Sequence, residues 1–314
     1  FIKHFQPKIA IIMETEIWPV LFAKCKQHDV PLFIVNARLT EKSSKGYLKL
    51  KGFLAKVFAG ISGVAVQTEV DAHRYQEIGV LAEKITVSGN IKLDMPIAEV
   101  LRVNMAQVKQ ELFPNRQVFV VGSTHAGEDE IFLRAYRRLK SKFPEILLVL
   151  VPRQPKRAPE IKQLCARNKL NVLARTEHKP CDVVTDVYLV DTLGELKQMY
   201  ALADFSFVAG SMVPVGGHNI FEPILLGVPV MFGPHMKNVE LQAKQLLEAR
   251  GAIQCVDEAD IIRSVTLMIE NPQEKLRLIN NAQAFVAKNN GAVERTITLI
   301  DPFLRANKAT HLPD

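Results

Sequence analysis

Short apolar runs rich in β-branched residues recur along the whole chain. They lie at residues 9–13, 32–35, 63–67, 85–87, 118–121, 146–151, 171–174, 187–190, 205–208, 228–232 and 252–255. Longer segments with helical spacing separate them, and this alternation predicts parallel α/β architecture. Most of the runs read as apolar on both faces, as buried parallel strands do. Among the intervening segments, 128–142 sets Ile131, Phe132, Ala135 and Leu139 on one stripe and keeps Arg134, Arg137, Arg138 and Lys140 off it, which predicts an amphipathic helix. Further helices are expected over 18–27, 71–78, 159–168, 193–202, 219–226 and 238–249. The strand rhythm lapses for long only over 91–116, which holds Pro96 and Pro114. A domain boundary is expected there, giving domains at 1–94 and at 95–314, the second including a linker and C-terminal helices. The second domain has seven expected strands, enough for a doubly wound sheet, and the first has four.

Composition narrows the class. The 314 residues are 48% hydrophobic and 23% charged, as in a globular protein, and a net charge of +7 favours contact with anions without choosing among them. Nucleic acid is not expected as a partner. Cys25, Cys165, Cys181 and Cys255 lie far apart with no CxxC pair, which argues against a zinc site or a disulfide scaffold. No run of about 18 apolar residues exists. The chain opens on Phe1 and runs straight into a strand-like segment, so sequence upstream is expected to be missing.

Candidate chemistry gathers at the carboxyl ends of the expected strands, where open α/β sheets bind ligands. After 205–208 come Gly210, Ser211, Met212, Val213, Pro214, Val215, Gly216, Gly217, His218 and Asn219, followed by a helix carrying Glu222. Gly216 and Gly217 let backbone N–H groups approach a phosphate, His218 and Asn219 add donors, and Asn219 suits the helix N-cap. Glu222 would repel a phosphate and so suits a ribose diol. Arg153, between Pro152 and Gln154, can reach a phosphate or stack on a base; an exposed loop Arg is the plain alternative. Gly122, Ser123, Thr124 and His125 form another potential anion cradle before a helix. In the first domain Glu14, Thr15 and Glu16 precede Trp18, either as a polar site or as a helix cap, and Lys92 lies near the linker.

Seven segments in register resemble the 3-deoxy-D-manno-octulosonic acid (Kdo) transferase family: ETEIWP (14–19), NARLT (36–40), GNIKLD (89–94), GSTHAGE (122–128), VPRQP (151–155), DTLGEL (191–196) and GGHN (216–219) with Glu222. The resemblance covers nearly the whole chain. It implies a GT-B glycosyltransferase, two Rossmann-like doubly wound domains facing across a cleft, with the first incomplete here. It implies transfer of Kdo from CMP-Kdo to lipid IVA, with inversion, on the cytoplasmic face of the bacterial inner membrane. Carried over onto matching positions, Pro152, Arg153, Leu193, Gly194, Glu195, Asn219, Ile220, Phe221 and Glu222 would bind CMP, with Ser123, Gly216, Gly217 and His218 as further donor-side candidates. Glu14 and Lys92 would support the transition state. The family's general base is a Glu in a Gly-Glu motif near the start of the N-terminal domain, and no such segment precedes ETEIWP. The base and a membrane anchor are therefore expected upstream of Phe1. No cofactor is implied, and without an Asp-x-Asp pair no metal is expected. Rival expectations are a GT-B enzyme using a UDP-sugar, or a non-catalytic nucleotide-sugar-binding fragment. Finally, Lys42, Lys45, Lys49, Lys51 and Lys56, interleaved with Tyr47, Leu48, Leu50, Phe53 and Leu54, predict a basic amphipathic helix over 41–57 able to lie on anionic lipid, with a solvated helix that has an ordinary core face as the plain alternative.

Overall fold

The computed structural model describes residues 1–94 and 99–309, and the chain divides into two compact units, Phe1–Met95 with Asn289–Asp314, and Pro96–Lys288. In the first unit, β1 (Ala10–Met13), β2 (Leu32–Ala37), β3 (Gly63–Val66) and β4 (Ile85–Val87) form one parallel sheet in the order β1-β2-β3-β4. Helices α1 (Ile2–Phe5), α2 (Pro19–Gln27), α3 (Glu41–Leu48), α4 (Lys51–Phe58) and α5 (Glu69–Glu77) lie between the strands or before them. Alternation along β2 serves two faces. Leu32 and Ile34 enter one core with Phe22, Leu54, Phe58 and Tyr75, while Phe33 and Val35 enter another. Strand β1 departs from the expected two-sided burial, because Ile11 and Met13 are 48% and 45% exposed.

In the second unit, α6 (Glu99–Leu112) leads into β5 (Gln117–Thr124), α7 (Asp129–Lys142), β6 (Ile146–Pro152), α8 (Ala158–Arg167), β7 (Val172–Ala174) and β8 (Val187–Leu189). The chain continues through α9 (Leu196–Ala201), β9 (Phe205–Val208), α10 (Phe221–Leu225), β10 (Val230–Phe232), α11 (Glu240–Glu248), β11 (Ala252–Gln254), α12 (Glu258–Glu270) and α13 (Pro272–Lys288). The seven strands are parallel in the order β11-β10-β9-β5-β6-β8-β7. Strand β5 is central, and Val118, Phe119, Val120 and Val121 are all fully buried, as a helix-covered parallel sheet requires. From β5 the chain moves outward to β6 and on to the edge strand β7, comes back to β8 between those two, then crosses to β9 on the other side of β5 and winds outward through β10 and β11. The direction of winding therefore reverses between β5 and β9.

Two expectations need correction. The second domain was expected to run through 314, but the last helix, α14 (Ala292–Ala309), joins the first unit. Its residues Leu299, Ile300 and Phe303 cover Phe33, Val35 and Ala65, with the Phe33 and Phe303 rings 5.0 Å apart. Asp94 accepts hydrogen bonds from the N–H groups of Gly291 and Val293 at 2.7 and 2.6 Å, neutralising two of the helix's otherwise unpaired donors. The expected boundary after residue 94 abuts residues 95–98, which lie outside the described residues, as do 310–314. The single helix expected over 41–57 is two, α3 and α4, broken at Lys49 and Leu50. The break frees two helix axes. Leu54 and Phe58 turn into the core while Leu48, Leu50 and Phe53 remain exposed. Among the described residues no helix is long and apolar enough to cross a membrane.

Candidate nucleotide site and a polar pair in the first unit

In the second unit, the loops after β9, β5, β6 and β8 leave the same edge of the sheet from four neighbouring strands. Ligands of doubly wound sheets bind where the winding direction reverses, here between β5 and β9. The loops after those two strands meet directly: Nε2 of His125 and Nε2 of His218 are 2.9 Å apart with the rings nearly coplanar, at 6°.

Several local features bring them together. Near the end of strand β5 stands Gly122, where a Cβ would lie 2.1 Å from the buried Tyr200 hydroxyl, so only glycine fits. Ser123 follows with φ of 63°, a left-handed conformation costly for a residue other than glycine, and the β5–β6 register shifts at this point. Glu128, fully buried at the start of α7, then accepts four backbone hydrogen bonds: from His125 at 2.9 Å, Gly210 at 2.7 Å, Ser211 at 3.1 Å and Met212 at 2.9 Å. One carboxylate thus fastens the loop after β9 to the loop after β5, which charge-assisted bonds to N–H groups do well. Gly210 has φ of 69°, and a Cβ there would lie 2.8 Å from the His218 ring. Gly216 and Gly217 fold back with both N–H groups on the Gly210 carbonyl, and Asn238 binds the Gly216 and Gly217 carbonyls. The glycine turn is therefore built by hydrogen bonds before any ligand arrives.

Arg153 is exposed past the end of β6, and its N–H donates to the Thr124 carbonyl at 3.0 Å, which ties this loop to the one after β5. Burial, the neighbouring His125 and the Arg153 charge together push His218 down to about 4. Asn219 caps α10 as expected in its hydrogen bonding, one residue before the assigned helix boundary. Ile220 holds the boundary position, and Asn219 Oδ1 accepts from Phe221 N–H at 3.1 Å while its Nδ2 donates to Glu222 Oε1 at 3.2 Å. Ile220 and Phe221 are buried, so their side chains belong to the core, and Pro152 is buried as the last residue of β6. After β8, Leu193 is 81% exposed and a Cβ on Gly194 would meet nothing within 4 Å. Glu195 accepts from Arg175 Nε at 2.8 Å.

In the first unit, Lys92 Nζ donates to Glu14 Oε1 at 2.6 Å, joining the residue after β1 to the 3-10 turn Ile91–Leu93 after β4. That hydrogen bond, with the charges of Lys92 and Arg38, holds the Glu14 carboxyl below its usual range against an opposing effect of burial. Glu14 has φ of 60° and the buried Asn36 has φ of 53°. Asn36 Oδ1 accepts from Ile91 N–H at 3.1 Å and so positions the turn that carries Lys92. The other acidic residue here, Glu16, accepts from the Trp18 indole at 2.7 Å.

Sequence reading left Glu128, Arg175 and Asn36 without a role. Glu128 and Asn36 stand inside the GSTHAGE and NARLT segments, which was a signal. Arg175 had none.

Comparison with known proteins agrees with this geometry. The family model described as 3-deoxy-D-manno-octulosonic-acid transferase (kdotransferase) matches residues 1–95. The 3-deoxy-D-manno-octulosonic acid transferase of Haemophilus influenzae is 35% identical over 308 residues, 98% of this chain and 72% of that protein. The Rickettsia felis protein of the same name is 32% identical over 97% of this chain, which spans 65% of its length. Among solved structures, the C-terminal CMP-Kdo binding domain of WaaA from Acinetobacter baumannii is 30% identical, matching 59% of this chain and 97% of that domain with a TM-score of 0.57. Anabaena HepE in complex with UDP-glucose matches 94% of this chain at 16% identity with a TM-score of 0.57, a likeness of fold alone, and it places the two α/β units among GT-B-like proteins. Identity of this level, sustained over nearly every residue, shows that the chain belongs to the 3-deoxy-D-manno-octulosonic acid transferase family of glycosyltransferases.

Proposed function

We propose that the protein transfers Kdo from CMP-Kdo to the lipid A precursor lipid IVA, inverting the anomeric centre without a metal, at the cytoplasmic face of the inner membrane. The observation that carries this reading is the contact of His125 with His218 at the winding reversal of the second unit, within the field of the Arg153 charge, in the unit expected to bind the nucleotide. Its one guanidinium and two imidazoles suit a single phosphate. Displacement of cytidylate passes through a transition state with oxocarbenium character, in which the breaking C–O bond sends its electron pair to the phosphate. Arg153 and the histidines stabilise the charge that develops there, in an environment set in advance by Glu128. Glu222, held by Asn219, takes the ribose diol. The exposed Leu193 and Gly194 offer backbone and apolar surface to the base.

In the first unit, the Lys92 ammonium is half-exposed and faces outward with Glu14, available to the Kdo carboxylate or to developing charge. A lipid acceptor is supported by the surface around α2. An apolar groove of about 740 Å³ is lined by Phe1, Ile2, Trp18, Pro19, Val20 and Leu21, with Lys3 and Lys24 at its rim. A second, of about 550 Å³, holds Phe22, Phe53 and Val57 beside Lys26 and Lys56. Apolar side chains among lysines suit an anionic lipid interface.

The test is direct assay of the natural full-length protein with CMP-Kdo and lipid IVA, followed by mass spectrometry of the lipid. Addition of Kdo is expected. A product formed only with a UDP-sugar donor would replace this reading by the rival one.

A further inference from the structure

We propose that His125 and His218 act as one proton-accepting unit, which takes up a single proton from solvent when a nucleotide phosphate binds beside Arg153. This rests on the reading of the second unit as the donor-binding one. The geometry supplies the argument. Two Nε2 atoms 2.9 Å apart require one N–H and one lone pair between them. The pair therefore has two permitted states. In the neutral state each ring carries one proton, and one Nε2–H donates to the other Nε2. In the singly charged state one ring carries both of its protons and still donates across the same contact. A second added proton would set two N–H groups against each other and open the pair.

The surroundings decide which state is held. His125 is partly exposed and His218 is partly buried against Gly210, where a Cβ would lie 2.8 Å from the His218 ring and 3.3 Å from that of His125. The charged groups around the pair come from each loop that packs on it. Arg153, from the loop after β6, opposes a positive charge on His218. Glu128, from the start of α7, is bonded to the N–H groups of His125 and Gly210, among others, so its charge is spread over four peptide dipoles. Glu222 in α10 is engaged by Asn219, and His235 after β10 presents its carbonyl toward Gly217. Without an anion, burial, the neighbouring His125 and Arg153 hold His218 neutral. A phosphate between Arg153 and the rings reverses the sign of the local field and favours the charged state, and by linkage the phosphate then binds more tightly as pH falls.

The consequence for turnover is specific. The proton enters with the donor and stays on the rings. When the glycosidic C–O bond breaks and cytidylate gains a full phosphomonoester charge, the pair already carries the counter-charge, and release of CMP returns the proton to solvent.

Histidine-selective ¹⁵N NMR of the whole chain at pH 7.5, with and without CMP, tests this, with calorimetry to establish saturation. Without ligand, the expected spectrum shows both rings neutral, with one protonated Nε2. With CMP, one ring of the pair should become fully protonated, and cytidine, which lacks the phosphate, should leave both neutral. The affinity for CMP should fall by up to about tenfold per pH unit above neutrality, the slope of one bound proton. In His125→Gln and His218→Gln that slope should flatten while cytidine binding persists, which shows that the site still folds. CMP bound at saturation with both rings neutral overturns the proton uptake and leaves the donor reading standing. No binding of CMP at all removes the donor reading and the proposal with it.

Discussion

Glu14 follows the first strand of one unit and Glu128 follows the first strand of the other, and the two carboxylates have opposite surroundings. Glu128 is fully buried and spends both oxygens on four backbone N–H groups, so it acts as a fastener between two loops. Glu14 is 39% exposed and bonds to Lys92, whose side chain is 45% exposed. A buried carboxylate with peptide donors has no alternative partner, whereas an exposed ion pair exchanges partners at little cost. The comparison teaches that the strand-end loops of the second unit are fastened in advance, while the exposed ion pair of the first unit can exchange partners.

The largest effect that would break this contrast is expected at Glu128. Glu128→Ala leaves four backbone donors in the core without an acceptor, which should cost about 3 kcal/mol or more in urea denaturation of the whole chain and abolish measurable CMP binding. A stable variant with unchanged affinity would show that the loops hold themselves together.

Glu222→Ala comes next. Loss of ribose hydrogen bonds should weaken CMP by roughly 1 to 3 kcal/mol in calorimetry without unfolding the unit, since Glu222 is only partly buried. An unchanged dissociation constant in the folded variant would assign Glu222 to positioning Asn219.

The smallest effect on stability belongs to Lys92. Because the Glu14 carboxyl is held low in the folded chain, its contribution is present above its unfolded value near 4.5 and is lost as pH falls through the lower folded value. Exposure limits that contribution to less than about 1 kcal/mol. Lys92→Met should therefore change the denaturation midpoint little at pH 7 and less still in acid, while Kdo transfer falls sharply. A large stability loss with normal turnover would make the pair structural.

The fold was legible because parallel strands are written as β-branched apolar runs. Segments such as 118–121 and 205–208 have no polar residue that would admit another reading, apart from the buried Ser206, and β5 and β9 stand there. The outlook was poorer where long-range contacts decide. Nothing in the pattern of α14 says that Phe303 will stack on Phe33, some 270 residues earlier in the chain, so the last helix was assigned to the wrong unit. The break between α3 and α4 likewise depends on the core accepting Leu54 and Phe58 from a new angle. In the candidate site, Gly210, His218 and Arg153 announced themselves as strand-end chemistry. Glu128 did not, because a carboxylate at the start of a helix has the same sequence appearance whether it faces water or ties two loops together.

The central claim, that the second unit is built for a cytidine monophosphate donor, is tested most directly by calorimetric titration of the whole chain with CMP and with UDP under identical conditions. The account predicts that CMP binds at least tenfold more tightly, a difference of about 1.4 kcal/mol. Equal affinities, or tighter binding of UDP, would contradict it.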